Sequence, residues 1–439
     1  MKIYYGDETK KALKNFPFSN HKTNIDFIMS IVLLKKVAAI ANYKSGNLNL
    51  NIKDAIVKSC NIILLGGYEN QFLISYLQGG AGTASNMNVN EVIANMASEI
   101  LKGKIKVHPN DHVNMSQSTN DINPSALKIS TYNLLKELNI KLLSLVSSLN
   151  IKSKEFKNIK KLGRTHLQDA VPTTMGAEFL AYSENLKRHI PLIKLSENLS
   201  KVLNLGGTAI GNSINANNIY IKEVYKELNN ETKTKFLKAD NLMSKTSSQV
   251  DFLIISQTIT SLCVDLSKIA NDLRFMSSGP NGAIGEIILP ELQKGSSIMP
   301  GKVNPVIPET VNQLYYLVSG NNVSIEKAVE SSQMELGVML PIIVDKLIDS
   351  IKITGEVINQ FDFLCIRGIK VNKEKCIYHL ECSTAYATLL VPRLGYDLVS
   401  SLVKKSLINN KTLREMVVSE KYLSEEEFNN IINYKHLLG

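Results

Sequence analysis

Two hydroxyls, one ammonium and one carboxamide crowd into Gly295-Ser296-Ser297-Ile298-Met299-Pro300-Gly301-Lys302-Val303-Asn304-Pro305. Glycine and proline punctuate the stretch and argue against helix or strand. Long helical patterns flank it, so it is expected as a surface or cleft loop, the usual place for chemistry. It is not a phosphate loop. Walker A needs four residues between its glycines and a Ser or Thr after the Lys, whereas here five intervene and Val303 follows. The plain alternative is a linker with ordinary turn chemistry.

Three more polar stretches share this character. Thr83 follows Gln78-Gly79-Gly80-Ala81-Gly82, Ser118-Thr119-Asn120 follow His108-Pro109-Asn110-Asp111-His112-Val113-Asn114, and Thr165-His166 lie within Gly163–Asp169. Each of these, like Lys302 and Asn304, is placed just ahead of a predicted helix, where free N–H groups and the helix dipole favour an anion. Taken singly, each reads as an N-cap. Four with such an excess of donors point to a site, and if several converge the natural ligand is a small molecule with more than one carboxylate.

The elements that must position these residues are helices. Residues 1–20 read as an extended, turn-rich entry. Apolar residues recur with helical spacing from Asn24 to Ala41, and a second helix is expected from Lys53 to Leu65. A helical run through Glu91 to Leu101 is closed by Gly103. Asn123 reads as an N-cap and Pro124 as the first residue of a helix running to Leu149. Pro172 to Leu205 is helical, Asn241 to Met276 reads as one very long helix, and 306–339 and 342–369 are two more. Leu423-Ser424-Glu425-Glu426-Glu427-Phe428 reads as a capped short helix. Strand signals are nearly absent, so the fold class is all-α, built on long helices. Helices of up to about 50 Å make a bundle too thin to bury its apolar stripes alone, and obligate oligomerisation follows.

Composition narrows the functional classes. The chain has 439 residues, 44% of them hydrophobic and 21% charged, enough for two or three domains with a substantial core. No apolar run reaches membrane-span length and residues 1–14 are too polar for a signal peptide, so a cytoplasmic location and no membrane partner are expected. The net charge of +10 rests on lysine, with only six arginines. The lysines are scattered, tryptophan is absent and no basic cluster interleaves with aromatics, so no nucleic-acid partner is expected. The five cysteines are widely spaced without ligand patterns, and neither a disulfide framework nor a metal is supported. His21, His189, His379 and His436 are expected at the surface.

The polar stretches together resemble the aspartase/fumarase superfamily. GGAGTASNMNVNEVIAN, HPNDHVNMSQSTND and GRTHLQDAVP are similar to three of its regions, the loop at 295–305 matches its GSSxMPxKxN signature, and YYGDETKKALKNFPFS is similar to its N-terminal segment. The resemblance implies a three-domain fold: an N-terminal helical domain at 1–117, a central long-helix bundle at 118–371 and a small helical domain at 372–439. It implies a homotetramer with active sites shared between subunits, and a dicarboxylate substrate without cofactor.

The chemistry it implies is anti-elimination from a substituted succinate to give fumarate. Ser296 corresponds to the general base. Thr83, Ser118, Thr119 and Ser297 would stabilise the aci-carboxylate dianion, Lys302, Asn304 and Thr165 would hold the other carboxylate, and Asn120 and His166 would face the leaving group. Pro305–Gln313 and Gln333–Met339 resemble aspartases, and Ile105 stands where fumarases carry an arginine. This favours ammonia over water, with hydration of fumarate as the alternative. Lys11, Asn212, Ser213, Asn281, Gly285 and Gly337 depart from the family pattern and leave the substrate open to a differently substituted amino acid.

Overall fold

The computed structural model describes residues 2–18 and 20–432. Helices dominate, and the strands of the described residues form three two-stranded pairs. The chain divides into two compact units. The first comprises Met1–Asn139, Pro191–Ser261 and Tyr316–Gly355, and the second Ile140–Ile190, Leu262–Tyr315 and Glu356–Gly439.

In the first unit, the helix Ile25–Lys44 is apolar nearly all round and buried accordingly, packing on Leu50–Leu64, Thr83–Ile100 and Asn218–Thr232. Ile31, Val32, Leu34, Ile56, Val89, Val92, Ile93 and Val224 are completely buried. Asn24 caps its start, accepting the N–H of Asp26 at 2.9 Å. The entry segment is not extended throughout: Asp7–Asn15 is a helix. Its cap is non-local, since the Glu91 carboxylate accepts the N–H groups of Gly6, Glu8 and Thr9 at 2.9–3.1 Å, a partner that local pattern cannot reveal.

Two helix starts also differ from expectation. The 37-residue helix begins at Thr119, not at Asn123, and Pro124 lies inside it. Pro124 has no N–H for the Asn120 carbonyl one turn back, and Asn204 Nδ2 fills that place at 3.0 Å. The stretch from Asn241 is two helices, Leu242–Ser247 and Val250–Met276. Asn241 caps the first, while Ser248 turns extended and breaks the run, the usual behaviour of serine where its hydroxyl competes for the backbone.

Val250–Met276 is long and apolar enough, by length and composition, to cross a membrane, with mean hydropathy 1.4 in its best window. This overturns the expectation that no run reaches that length. Its apolar face is core: Ile255, Ile259, Leu262, Ile269 and Leu273 are fully buried, and its Asp265 pairs with His189 at 2.7 Å.

In the second unit, Leu142, Leu145, Leu149, Phe179, Leu186 and Phe361 are all fully buried. A separate apolar cluster joins Leu380, Leu390, Leu402, Val417 and Phe428 to Leu162. The helix Glu425–Ile432 is capped as the sequence predicts, Ser424 and Glu427 exchanging backbone and side-chain bonds at 2.9 and 3.2 Å. The 163–169 stretch is not a loop ahead of a helix. It is the turn of an antiparallel hairpin, Lys160–Thr165 with Gln168–Thr174, in which Thr165 pairs with Gln168.

Candidate functional site

In the first unit a tight Gly80-Ala81-Gly82 turn delivers Thr83 to the start of its helix. The buried Asn123 holds that turn, donating to the carbonyls of Ala81 and Gly82 at 3.1 and 3.2 Å. Thr83 is exposed and its hydroxyl donates to Gly80 O at 2.7 Å, so it must turn to meet a ligand. Ser118, Thr119 and Asn120 open the 37-residue helix. Asp121 lies beneath them, accepting the N–H groups of Ser118, Gly206 and Thr208 at 2.8, 2.9 and 3.2 Å. Burial pushes its carboxyl up to about 6, against the pull of those N–H donors and of Lys35. Asn120 donates to Ala209 O at 2.7 Å, which commits its amide nitrogen and leaves its oxygen as an acceptor.

An open cavity of about 1180 Å³ adjoins this group, lined by polar side chains including Asn110, Asn114, Gln117, Ser118, Asn212 and Asn215. Two departures from the family pattern lie here: Asn212 lines the cavity, and Ser213 takes a left-handed backbone conformation next to it, φ 63°.

In the second unit, Thr165 and His166 are exposed at the hairpin tip, where His166 and Leu167 both have positive φ, 56° and 60°, as a two-residue turn matching strand twist requires. The hairpin is anchored by charge. Arg164 donates to the wholly buried Glu286 at 2.8 Å, which also meets His379 at 3.0 Å and Lys161 at 3.4 Å. Burial raises the Glu286 carboxyl, but Arg164, Lys161 and His379 together outweigh it and hold it below the usual carboxylate range.

The 295–305 loop runs into the helix Val306–Glu330, as the sequence implies. Its ends are clamped by Gly295 N–H to Lys302 O at 3.1 Å and by Asn304 Nδ2 to Gly295 O at 2.7 Å. Ser296 Oγ accepts the N–H groups of Ile298 and Met299, both at 3.2 Å. Lys302 is exposed and makes no ion pair among the described residues. The structure thus sets Ser118, Thr119 and Asn120 together at one helix start, ties the turn before Thr83 to that helix through Asn123, and holds Ser296, Ser297, Lys302 and Asn304 on one loop. Thr165 and His166 stand on the hairpin, so only three of the four stretches precede a helix.

Sequence reasoning missed the support beneath these groups. The buried Lys35, Asn86 and Asn90 and the partly buried Asn114 form a polar network under Thr119, and the available signal was a lysine pair in the middle of a mostly apolar helix. His189 is buried on Asp265 and His379 is partly buried on Glu286, so neither is a surface residue. His21 is half exposed beside Asp345, and His436 lies outside the described residues. Among the described residues, no cluster of His, Cys, Asp or Glu could hold a metal ion.

A family model described as a lyase matches residues 2–320, and one described as the fumarase C C-terminus matches residues 387–439. The chain belongs to the aspartase/fumarase lyase superfamily. It is 41% identical over 443 residues to an aspartate ammonia-lyase of Helicobacter pylori, covering 100% of this chain and 95% of that enzyme. It is also 41% identical over 435 residues to an aspartate ammonia-lyase of Bacillus subtilis, covering 98% and 92%. Among solved structures, a fumarate lyase:delta crystallin of Brucella melitensis bound to cobalt superposes with TM-score 0.95 at 40% identity, covering 100% and 96% of the two chains. A class II fumarase of Schistosoma mansoni gives TM-score 0.94 at 34% identity, covering 99% and 95%. This lyase is therefore an enzyme, and its all-α fold is that of its superfamily.

Proposed function

We propose that this lyase eliminates ammonia from L-aspartate to give fumarate. The observation that carries the proposal is 41% identity along the full length of this chain to an aspartate ammonia-lyase, and the residues read as the catalytic set are Ser296, Lys302 and His166 with their donors.

Ser296 removes the C3 proton. Two N–H groups already point at its oxygen and would stabilise the alkoxide that a serine base must become. Proton loss beside a carboxylate builds a dianion, prohibitive unless preorganised donors meet it, each contributing roughly 3 kcal/mol. Thr83, Ser118, Thr119 and Ser297 supply them. Lys302, Asn304 and Thr165 hold the other carboxylate. Asn120 and His166 face the leaving group, and the Asn120 oxygen, left as an acceptor by the bond to Ala209, suits an ammonium.

The active enzyme is proposed to be a cytoplasmic homotetramer whose sites draw on several subunits. In the second unit the long helices leave Ile140, Ile151 and Val264 between 46% and 67% exposed, apolar surface that further copies would cover; light scattering would report a tetramer.

The test is fumarate absorbance with L-aspartate and L-malate side by side. Sites built for specific hydrogen bonds reject a wrong polar group by on the order of 10⁴-fold, so only aspartate should react. Comparable rates on both would overturn the assignment and favour the fumarase reading.

A further inference from the structure

The Lys35 side chain is fully buried, 0% exposed, in the helix Ile25–Lys44. Its Nζ meets two acceptors, Asn114 Oδ1 at 2.7 Å and Gln117 Oε1 at 3.0 Å. Because the amine donates to both, each carboxamide must present its oxygen. Asn114 then sends its nitrogen to Gln117 O at 3.2 Å, and Gln117 sends its own to the carbonyls of Val113 and Met115, both at 3.0 Å.

The polarity propagates. Asn114 Oδ1 also accepts from Asn86 Nδ2 and Asn90 Nδ2, each at 3.3 Å, and Asn86 Nδ2 reaches Thr119 Oγ1 at 3.3 Å. The Thr119 oxygen is thereby an acceptor on its inner side, and its proton is left to donate elsewhere. The direction has a cost: Asn86 Oδ1 and Asn90 Oδ1 are buried without a hydrogen-bond partner among the described residues. Turning Asn86 over would satisfy its oxygen with the Thr119 hydroxyl, but would set two oxygens face to face at Asn114. A buried donor that forbids this flip accounts for the unpaired oxygens.

We propose that Lys35 is a positioning residue for the elimination, acting through Asn114 and Asn86 to hold the Thr119 hydroxyl as a donor facing the substrate carboxylate. The inference rests on the reading of Thr119 as a substrate donor. It assigns a task to a lysine that touches no substrate, and it makes the donor direction of Thr119 depend on a residue in another helix.

The test is a double-mutant cycle on kcat/KM for L-aspartate with Lys35→Met, Thr119→Val and the pair. Lys35→Met should lose roughly 10- to 100-fold alone, as misplacing one preorganised donor does, and less than about threefold when Thr119 is already Val. The same loss in both backgrounds, or none in the first, overturns the proposal. Should Lys35→Met fail to fold by thermal unfolding, Asn86→Ala in the same two backgrounds is judged by the same criteria. Unchanged kcat/KM in Thr119→Val refutes the donor role of Thr119, and the inference with it. A wild-type chain without aspartate turnover contradicts the proposed function instead, and the cycle is then read on succinate affinity.

Discussion

The two groups of candidate residues are built in opposite ways. Ser118, Thr119 and Asn120 stand at the start of a long helix above buried Asp121, Lys35 and Asn86 and the partly buried Asn114, so their directions are dictated largely by neighbours from elsewhere in the chain. Ser296, Ser297, Lys302 and Asn304 stand on a loop whose hydrogen bonds, among the described residues, run within the loop itself, with Ile298 83% exposed beside them. Groups that must stabilise a fleeting dianion gain from rigidity. A base and a cation that must reach a substrate and release the product tolerate a loop. The first group is therefore expected to be sensitive to changes far beneath it, and the second only to changes in its own functional atoms.

Lys302→Met would break this division most strongly on the loop side. It removes the carboxylate's cation without breaking any side-chain hydrogen bond or ion pair among the described residues, so kcat/KM for L-aspartate should fall roughly 10²-fold or more with a nearly unaltered Tm. An unchanged KM would show that another cation binds the carboxylate.

Two glycines sharpen the comparison. Gly82 has φ 84° and a Cβ there would meet Asn123 Nδ2 at 2.7 Å; Gly301 has φ 77° with nothing within 4 Å. Both substitutions by Ala strain the backbone, by about 1–2 kcal/mol. Only Gly82→Ala also displaces the amide that holds the Thr83 turn, and it should cost about 2–4 kcal/mol in chemical denaturation together with activity. Equal losses at the two positions would erase the distinction.

The smallest effect is electrostatic. Burial lowers Lys35 from 10.5 to about 7, with Asp121 and Cys60 opposing it. Between those values the unfolded chain holds a proton that the folded chain lacks, so stability gains as pH rises from about 7 towards 10.5. Lys35→Met removes that gain. The stability difference between wild type and variant should therefore move in favour of the wild type, by up to about 1 kcal/mol per pH unit, and parallel curves from pH 7 to 10 would contradict the burial of a titrating amine.

Much of this was legible in the sequence because the relevant signals are local. The helical periodicity of Ile25–Lys44, the Ser424–Glu427 cap and the Gly/Pro punctuation of 295–305 each depend on residues within a few positions of one another. The failures are non-local. Glu91 caps a helix more than eighty residues away, Asn204 repairs the carbonyl that Pro124 leaves unpaired, and Glu286 draws His379 inward from the surface expected for it. His166 was expected ahead of a helix but stands at a hairpin tip, because two consecutive left-handed residues without glycine give no turn signal. The departures at Asn281 and Gly285 precede Glu286, Gly337 N–H donates to Thr246 O at 3.2 Å, and Lys11 is spent on Glu8 at 2.6 Å.

The central claim is that Ser296 is the base, poised by two N–H groups of its own loop. Turnover of L-aspartate by Ser296→Ala, measured beside its affinity for succinate, tests this most directly. Removing the base while leaving the donor group intact should lower kcat at least about 10³-fold and leave succinate affinity within about twofold. Near-normal turnover would remove Ser296 from the chemistry and contradict the account.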